Sequence, residues 1–214
     1  MKLENKNERS IVMEENREIR VIPAVEEHRE LLDQWLKILL IVQTTGFLLT
    51  ALAVIPAMGT LSGWLSRAVS VCAIVAMMQL APAGERYRKA GIFMLVTLIA
   101  GIVNQIFPIS ILTLAVSICS LVATYQQYYA HAELVEEVNG KFAKRWRSLF
   151  VWQLVVGFAG GLITAAGVIV GVAAGMAEGT IVTLTLVVTT LISAAIELVY
   201  LLYLKKTLNL VQAV

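Results

Sequence analysis

The chain has 214 residues, of which 58% are hydrophobic and only 15% charged, and its formal net charge is +2. A soluble domain carries roughly 45–50% apolar and about 25% charged residues, so this composition excludes an ordinary soluble domain. The small net charge excludes an electrostatic nucleic-acid binder, and no nucleic-acid partner is expected.

Residues 1–23 form the first segment, in which acids and bases alternate from Lys2 to Arg20 with few apolar residues between them. That pattern predicts a charged cytoplasmic tail without a core of its own, closed by Pro23. It holds no apolar run of the kind a cleavable signal peptide has, so the first span is expected to act as the membrane signal. From residue 24 the pattern becomes helical. Val25, Leu31, Leu32, Trp35 and Leu36 recur at helical spacing, while Glu26, Glu27, Arg29, Glu30 and Asp33 face elsewhere. This predicts an amphipathic helix over 24–37 that leads into the membrane.

Crossing roughly 30 Å of hydrocarbon takes about 20 apolar residues. Six stretches qualify: Ile38 to Ala57, Leu65 to Ala81, Ala90 to Phe107, Pro108 to Tyr129, Leu149 to Met176 and Ile181 to Leu204. Pro108 is read as a first-turn proline of the fourth. The connections alternate in charge. One set holds the tail, Glu85 to Lys89, the stretch with Lys141, Lys144, Arg145 and Arg147, and then Lys205 and Lys206; the other set, 58–63, 104–107 and 175–180, holds no Lys or Arg. By the positive-inside rule both termini are cytoplasmic, and the bacterial-type inner (cell) membrane is the expected location. The expected fold class is therefore all-α: a polytopic membrane protein with six transmembrane helices as three consecutive helical hairpins, N-in and C-in, spanning 24–214. The segment 130–148 is expected to extend the fourth and fifth spans into the cytoplasm as an antiparallel pair. There Glu133, Glu136 and Glu137 can meet Lys144, Arg145 and Arg147, with Asn139 and Gly140 as the turn.

Polar residues inside the spans are the candidates for chemistry. In the sixth span Thr185, Thr189, Ser193 and Glu197 recur every fourth residue and share one face. Glu197 lies seven residues before Leu204, roughly 10 Å of helix at about 1.5 Å per residue, and so within hydrocarbon. A carboxylate there must face protein or water, pair with a cation, or hold its proton. The row is a candidate proton or cation site; the plainer alternative is a Glu satisfied by a neighbouring helix. Gln43, Gln79 and Gln153 are its possible polar partners. Arg67, the one base near the uncharged loops, is expected to reach lipid phosphates, with Glu178 as an alternative partner. In the fifth span Gly157 and Gly161 share one i,i+4 row, and Gly167, Gly171 and Gly175 another. Such small-residue rows let helices approach closely, either inside one molecule or at a homo-oligomer seam. A faint internal echo links Trp35, Gln43 and Gly46-Phe47 with Trp146, Gln153 and Gly157-Phe158.

No metal motif, phosphate loop or nucleophile constellation appears, so no catalytic residue, metal or other cofactor is assigned and an enzyme is not expected. Cys72 and Cys119 read as small buried hydrophobes. The favoured reading is a membrane interaction or assembly component that recruits a cytoplasmic protein partner. The alternative is a transporter or channel for a proton, cation or small solute, built on Glu197.

Overall fold

The structure is a computed structural model that describes residues 27–52, 59–173 and 178–213. Six helices follow one another: α1 (Arg29–Leu52), α2 (Gly59–Gln79), α3 (Glu85–Ile106), α4 (Ser110–Glu136), α5 (Gly140–Ala173) and α6 (Glu178–Ala213), with a 3-10 turn at Ala81–Ala83 between α2 and α3. Five of them contain segments long and apolar enough to cross a membrane. Their outer surface is apolar, to the point that Ile111 and Phe158 are each 76% exposed. A water-soluble surface does not carry a band of this kind, and lipid covers it without penalty. The protein is an all-α membrane protein.

Each helix packs on its neighbour in sequence, and α6 packs back on α1, so the six close into a ring. At one end of that closure Arg29 donates to the Gln212 carbonyl at 2.7 Å, and the Gln212 amide donates to Asp33 at 2.7 Å. The start of α1 and the end of α6 therefore lie side by side. This end also carries the Lys- and Arg-rich connections and is referred to below as the basic end.

The helix ends follow local chemistry. Helix α2 stops before Pro82, whose ring cannot continue it, and Gly84, with an extended backbone, precedes α3. Phe107 leaves the helical region at φ −125° and ψ 87° because it precedes Pro108. Pro108 itself stands before α4 rather than in its first turn. Asn104 fastens this turn: its side chain accepts from the Ile109 N–H at 3.3 Å and donates to Thr113 Oγ1 at 3.0 Å. Asn139 caps α5, its Oδ1 accepting from the Phe142 N–H at 3.0 Å.

From Arg29 to Leu52 the amphipathic segment runs without a break into the first span, and α5 takes in 141–148 within a single helix of 34 residues. Beside the turn between α4 and α5, Arg147 pairs with Glu136 at 2.6 Å. Glu133, however, pairs with Arg86 of α3 at 2.5 Å. The Arg86 guanidinium stacks over Tyr129 at 5.5 Å and Tyr125 at 5.7 Å, which holds it on α4.

The core is unevenly placed. Leu32, Leu36 and Leu39 of α1, Met77 and Leu80, Tyr87, Val135, Trp146 and Leu204 are all buried, and all sit toward the basic end. Gly91 shows how close the packing is there. A Cβ on Gly91 would stand 3.1 Å from the Met78 thioether and 3.4 Å from Met77 Cβ. Gly91→Leu is therefore expected to wedge α2 from α3 and cost about 1–3 kcal/mol, read as a lower unfolding temperature in detergent.

The charged tail 1–23, residues 24–26 of the amphipathic segment, Gly175, and the side chains of Thr185, Thr189 and Glu178 lie outside the described residues.

Candidate functional site

The six helices leave three adjoining, half-open cavities between them, and each mixes polar side chains into a mainly apolar lining. The first, about 420 Å³, is lined by Arg67, Ser70, Thr97, Gln105, Ser120, Thr124 and Gln127 among others. A second, about 690 Å³, shares Thr97, Ser120 and Thr124 with the first and adds Ser117, Gln153, Gly157, Ser193 and Glu197. The third, about 210 Å³, shares Ser70 and Met94 with the first and Glu197 with the second, and adds Gln43, Gly46, Phe47 and Tyr200. All six helices contribute to these walls. Glu197 stands where the second and third cavities meet.

Four of the hydroxyls that line them have their protons engaged. Ser70 donates to the Ser66 carbonyl at 2.9 Å, Thr97 to Phe93 at 2.8 Å, Ser117 to Thr113 at 3.0 Å and Thr124 to Ser120 at 2.9 Å. Each bond returns to the same helix one turn earlier, as Ser and Thr do in apolar surroundings. What these hydroxyls have left to offer is oxygen lone pairs. Gln153 adds to this, since its Oε1 is buried with no hydrogen-bond donor among the described residues. With the Glu197 carboxyl, these groups set acceptor oxygens in the walls, beside the amide donors of Gln43 and Gln153. Such a lining suits a bound cation, an ammonium group or a transferred proton.

The single base of this interior is held at the far end. Arg67 hydrogen-bonds the Gln105 side chain and stacks on the Trp64 ring at 4.6 Å. Sequence reading assigned it to lipid phosphate or Glu178. Gln105 is 38 positions away, and only the α2–α3 hairpin geometry brings it within reach.

Of the residues singled out in the sequence, Ser193, Glu197, Gln43, Gln153 and Gly157 are brought together at the cavities. Gln79 is not: it lies exposed at the last residue of α2 and lines none of the three cavities. None of the glutamines hydrogen-bonds Glu197. The packing reading of Gly157 and Gly161 needs correction, because a Cβ at either would meet nothing within 4 Å among the described residues. Gly167 and Gly171 continue along the same helix. Of the internal echo, Gln43, Gly46 and Phe47 of α1 line the third cavity and Gln153 and Gly157 of α5 line the second, the two cavities that share Glu197.

One cluster was not foreseen. Toward the basic end the cavities are closed by a buried aromatic plug. Trp146 stacks on His131 at 4.8 Å between ring centroids and meets Tyr128, Tyr200 and Tyr203 edge-on, and its indole N–H donates to Thr207 at 3.1 Å. His131 is fully buried, and both of its ring nitrogens are engaged: Nδ1 with Tyr87 Oη at 2.9 Å and Nε2 with Tyr200 Oη at 3.3 Å. Gln127 also donates to Tyr200 Oη. The available sequence signal was periodicity, since Tyr128, His131 and Val135 fall on one face of α4.

Among the described residues no three His, Cys, Asp or Glu side chains come together as a metal site, and Cys72 and Cys119 are free thiols. No protein-family model, curated protein or solved structure matches the chain.

Proposed function

We propose that this integral membrane protein moves a proton, a small cation or an ammonium-bearing solute through its helix ring, with Glu197 as the principal binding group. The observation that carries this reading is that all six helices contribute to three adjoining cavities, two of which share Glu197. A carboxyl group within a membrane span is costly unless the site uses it, and intramembrane acids mark ion and proton paths. Ser193 and Gln153 stand beside it as oxygen ligands, and Gln43 faces it from the other side. Thr185 and Thr189, at the same register as Ser193, extend the polar row by sequence. An inner-membrane location with cytoplasmic termini belongs to this proposal and rests on the Lys and Arg distribution.

The cavity is what favours transport over a pure interaction or assembly role, for which a packed, void-free ring would suffice. The test is flux into proteoliposomes, with rubidium and sodium ions, choline, glycine and protons as probes. The expected result is entry above protein-free vesicles for at least one probe and a loss of about 100-fold or more in Glu197→Gln. The magnitude is that of removing one essential proton- or charge-handling group. Absence of flux for every probe, or an unaltered rate in the Gln variant, sinks the reading.

A further inference from the structure

The plug that closes the cavities is not inert packing. Glu197 and Tyr200 are one helical turn apart on α6 and line the same cavity. From Tyr200 the hydrogen bonds run on through His131 to Tyr87, joining α6, α4 and α3. At the far side of Tyr87 stands a solvent-exposed ion pair. Arg86 immediately precedes it on α3, and its partner Glu133, 46% exposed, lies two residues past His131 on α4. A line of ionisable groups thus runs from the cavity toward the basic end, and its two central links, Tyr200–His131 and His131–Tyr87, are hydrogen bonds.

We propose that Tyr200, His131 and Tyr87 form a proton relay between the Glu197 cavity and solvent at the basic end, so that proton movement accompanies or constitutes transport. This rests on the transport reading above and names the proton as the coupled ion. The donor order supports one direction. Gln127 donates to the Tyr200 oxygen, which leaves the Tyr200 hydroxyl proton for His131 Nε2; in that tautomer Nδ1–H donates to the Tyr87 oxygen.

The transfer balances. The Glu197 carboxyl releases its proton, across cavity water, to the Tyr200 oxygen as Tyr200 passes its own proton to His131 Nε2. His131 gives up its Nδ1 proton to the Tyr87 oxygen, and Tyr87 releases its proton to the Glu133 carboxylate and solvent. One O–H bond is lost at Glu197 and one proton appears at the basic face. Each tyrosine ends neutral, and His131 ends as its other tautomer, which resets before the next transfer.

The surroundings of His131 contain little else that titrates. From α3 it meets Tyr87, with Arg86 beside it. From α6 it meets Tyr200, with Glu197 one turn away. Helix α4 itself supplies Tyr128 and Glu133, and α5 supplies Trp146, which does not titrate. Helices α1 and α2 bring only apolar groups such as Leu36 and Met77 to this core. Both nitrogens of a fully buried histidine need partners, and here each partner is a hydroxyl from a different helix, which joins the three side chains into one line.

The experiment uses the full chain in vesicles with a pH-sensitive dye in the lumen, alongside rubidium, sodium, choline and glycine uptake. Wild type is expected to move protons, more slowly in heavy water. His131→Gln keeps a donor and an acceptor but cannot pass a proton through, and Tyr87→Phe removes one oxygen from the line. Each should lower the proton rate about 100-fold. Gel filtration and thermal unfolding check the fold of both, and the heavy-water measurement needs no variant. Solute or cation flux that depends on Glu197 while luminal pH stays constant overturns the relay and leaves the transport reading standing. So does a proton rate unchanged in the folded variants, or one insensitive to heavy water. A wild type that moves neither protons nor any other probe overturns the transport reading, and the relay with it.

Discussion

Trp146→Ala is expected to lower stability by about 3–5 kcal/mol, the largest effect of any single substitution described. Trp146 is fully buried and contacts rings from α4, α5 and α6 at once: Tyr128, His131, Phe142, Tyr200 and Tyr203. Truncation leaves a void the size of an indole, and His131 and Tyr200, held by their own hydrogen bonds, cannot collapse into it. It also removes the donor to Thr207, although that hydroxyl keeps a second bond to the Tyr203 carbonyl at 3.0 Å. The loss is measured as a fall in the unfolding midpoint in detergent. Trp152→Ala, on the same helix but 61% exposed, serves as the control and should change stability little. Equal losses in the two variants contradict the placement of the core.

Removing one oxygen from Tyr200 is expected to cost about 2–4 kcal/mol, although the ring and its packing remain. Tyr200→Phe strands two buried groups, the Gln127 amide and His131 Nε2, which both bond that hydroxyl. Each unsatisfied buried group costs about 1–3 kcal/mol, well above the roughly 1 kcal/mol net value of an average hydrogen bond. Tyr203→Phe is the matched comparison, one turn along the same face, where the ring packs on Phe142 and Trp146 and no side-chain hydrogen bond is lost. A difference between the two variants below about 0.5 kcal/mol removes the energetic case for the His131 network. The same pair of proteins gives a double-mutant cycle with His131→Gln, since residues in one network do not add.

Much of the architecture is legible in the residues themselves. Apolar run length sets the helices, and the alternation of basic and bare connections sets the hairpins, because lipid allows no irregular backbone along its face. The charged extension of α4 and α5 is also legible, since Asn139 and Gly140 interrupt an otherwise continuous helical pattern. The individual pairs are not: Glu133 has several bases within reach on paper, and the choice of Arg86 depends on aromatic stacking from Tyr125 and Tyr129. Ring closure of α6 on α1 is invisible for a related reason. Both helices are apolar on most faces, so no stripe marks the partner side.

The site divides in the same way. Glu197, Ser193, Gln43 and Gln153 stand out because a polar side chain in hydrocarbon is expensive wherever it points. Which of them meet is a matter of rotation about the helix axis, and Gln79, equally conspicuous in the sequence, ends up outside. The role of His131 is not legible in the sequence, because its hydroxyl partners lie 44 and 69 positions away. The bond from Arg67 to Gln105 is hidden for the same reason, since only the α2–α3 hairpin brings the two together.

Among the described residues, interlocked rings and leucines make the basic end a stiff foot that ties the helices together. Backbone amides there should exchange with heavy water only when the whole bundle opens, which makes that end the last part of the molecule to come apart.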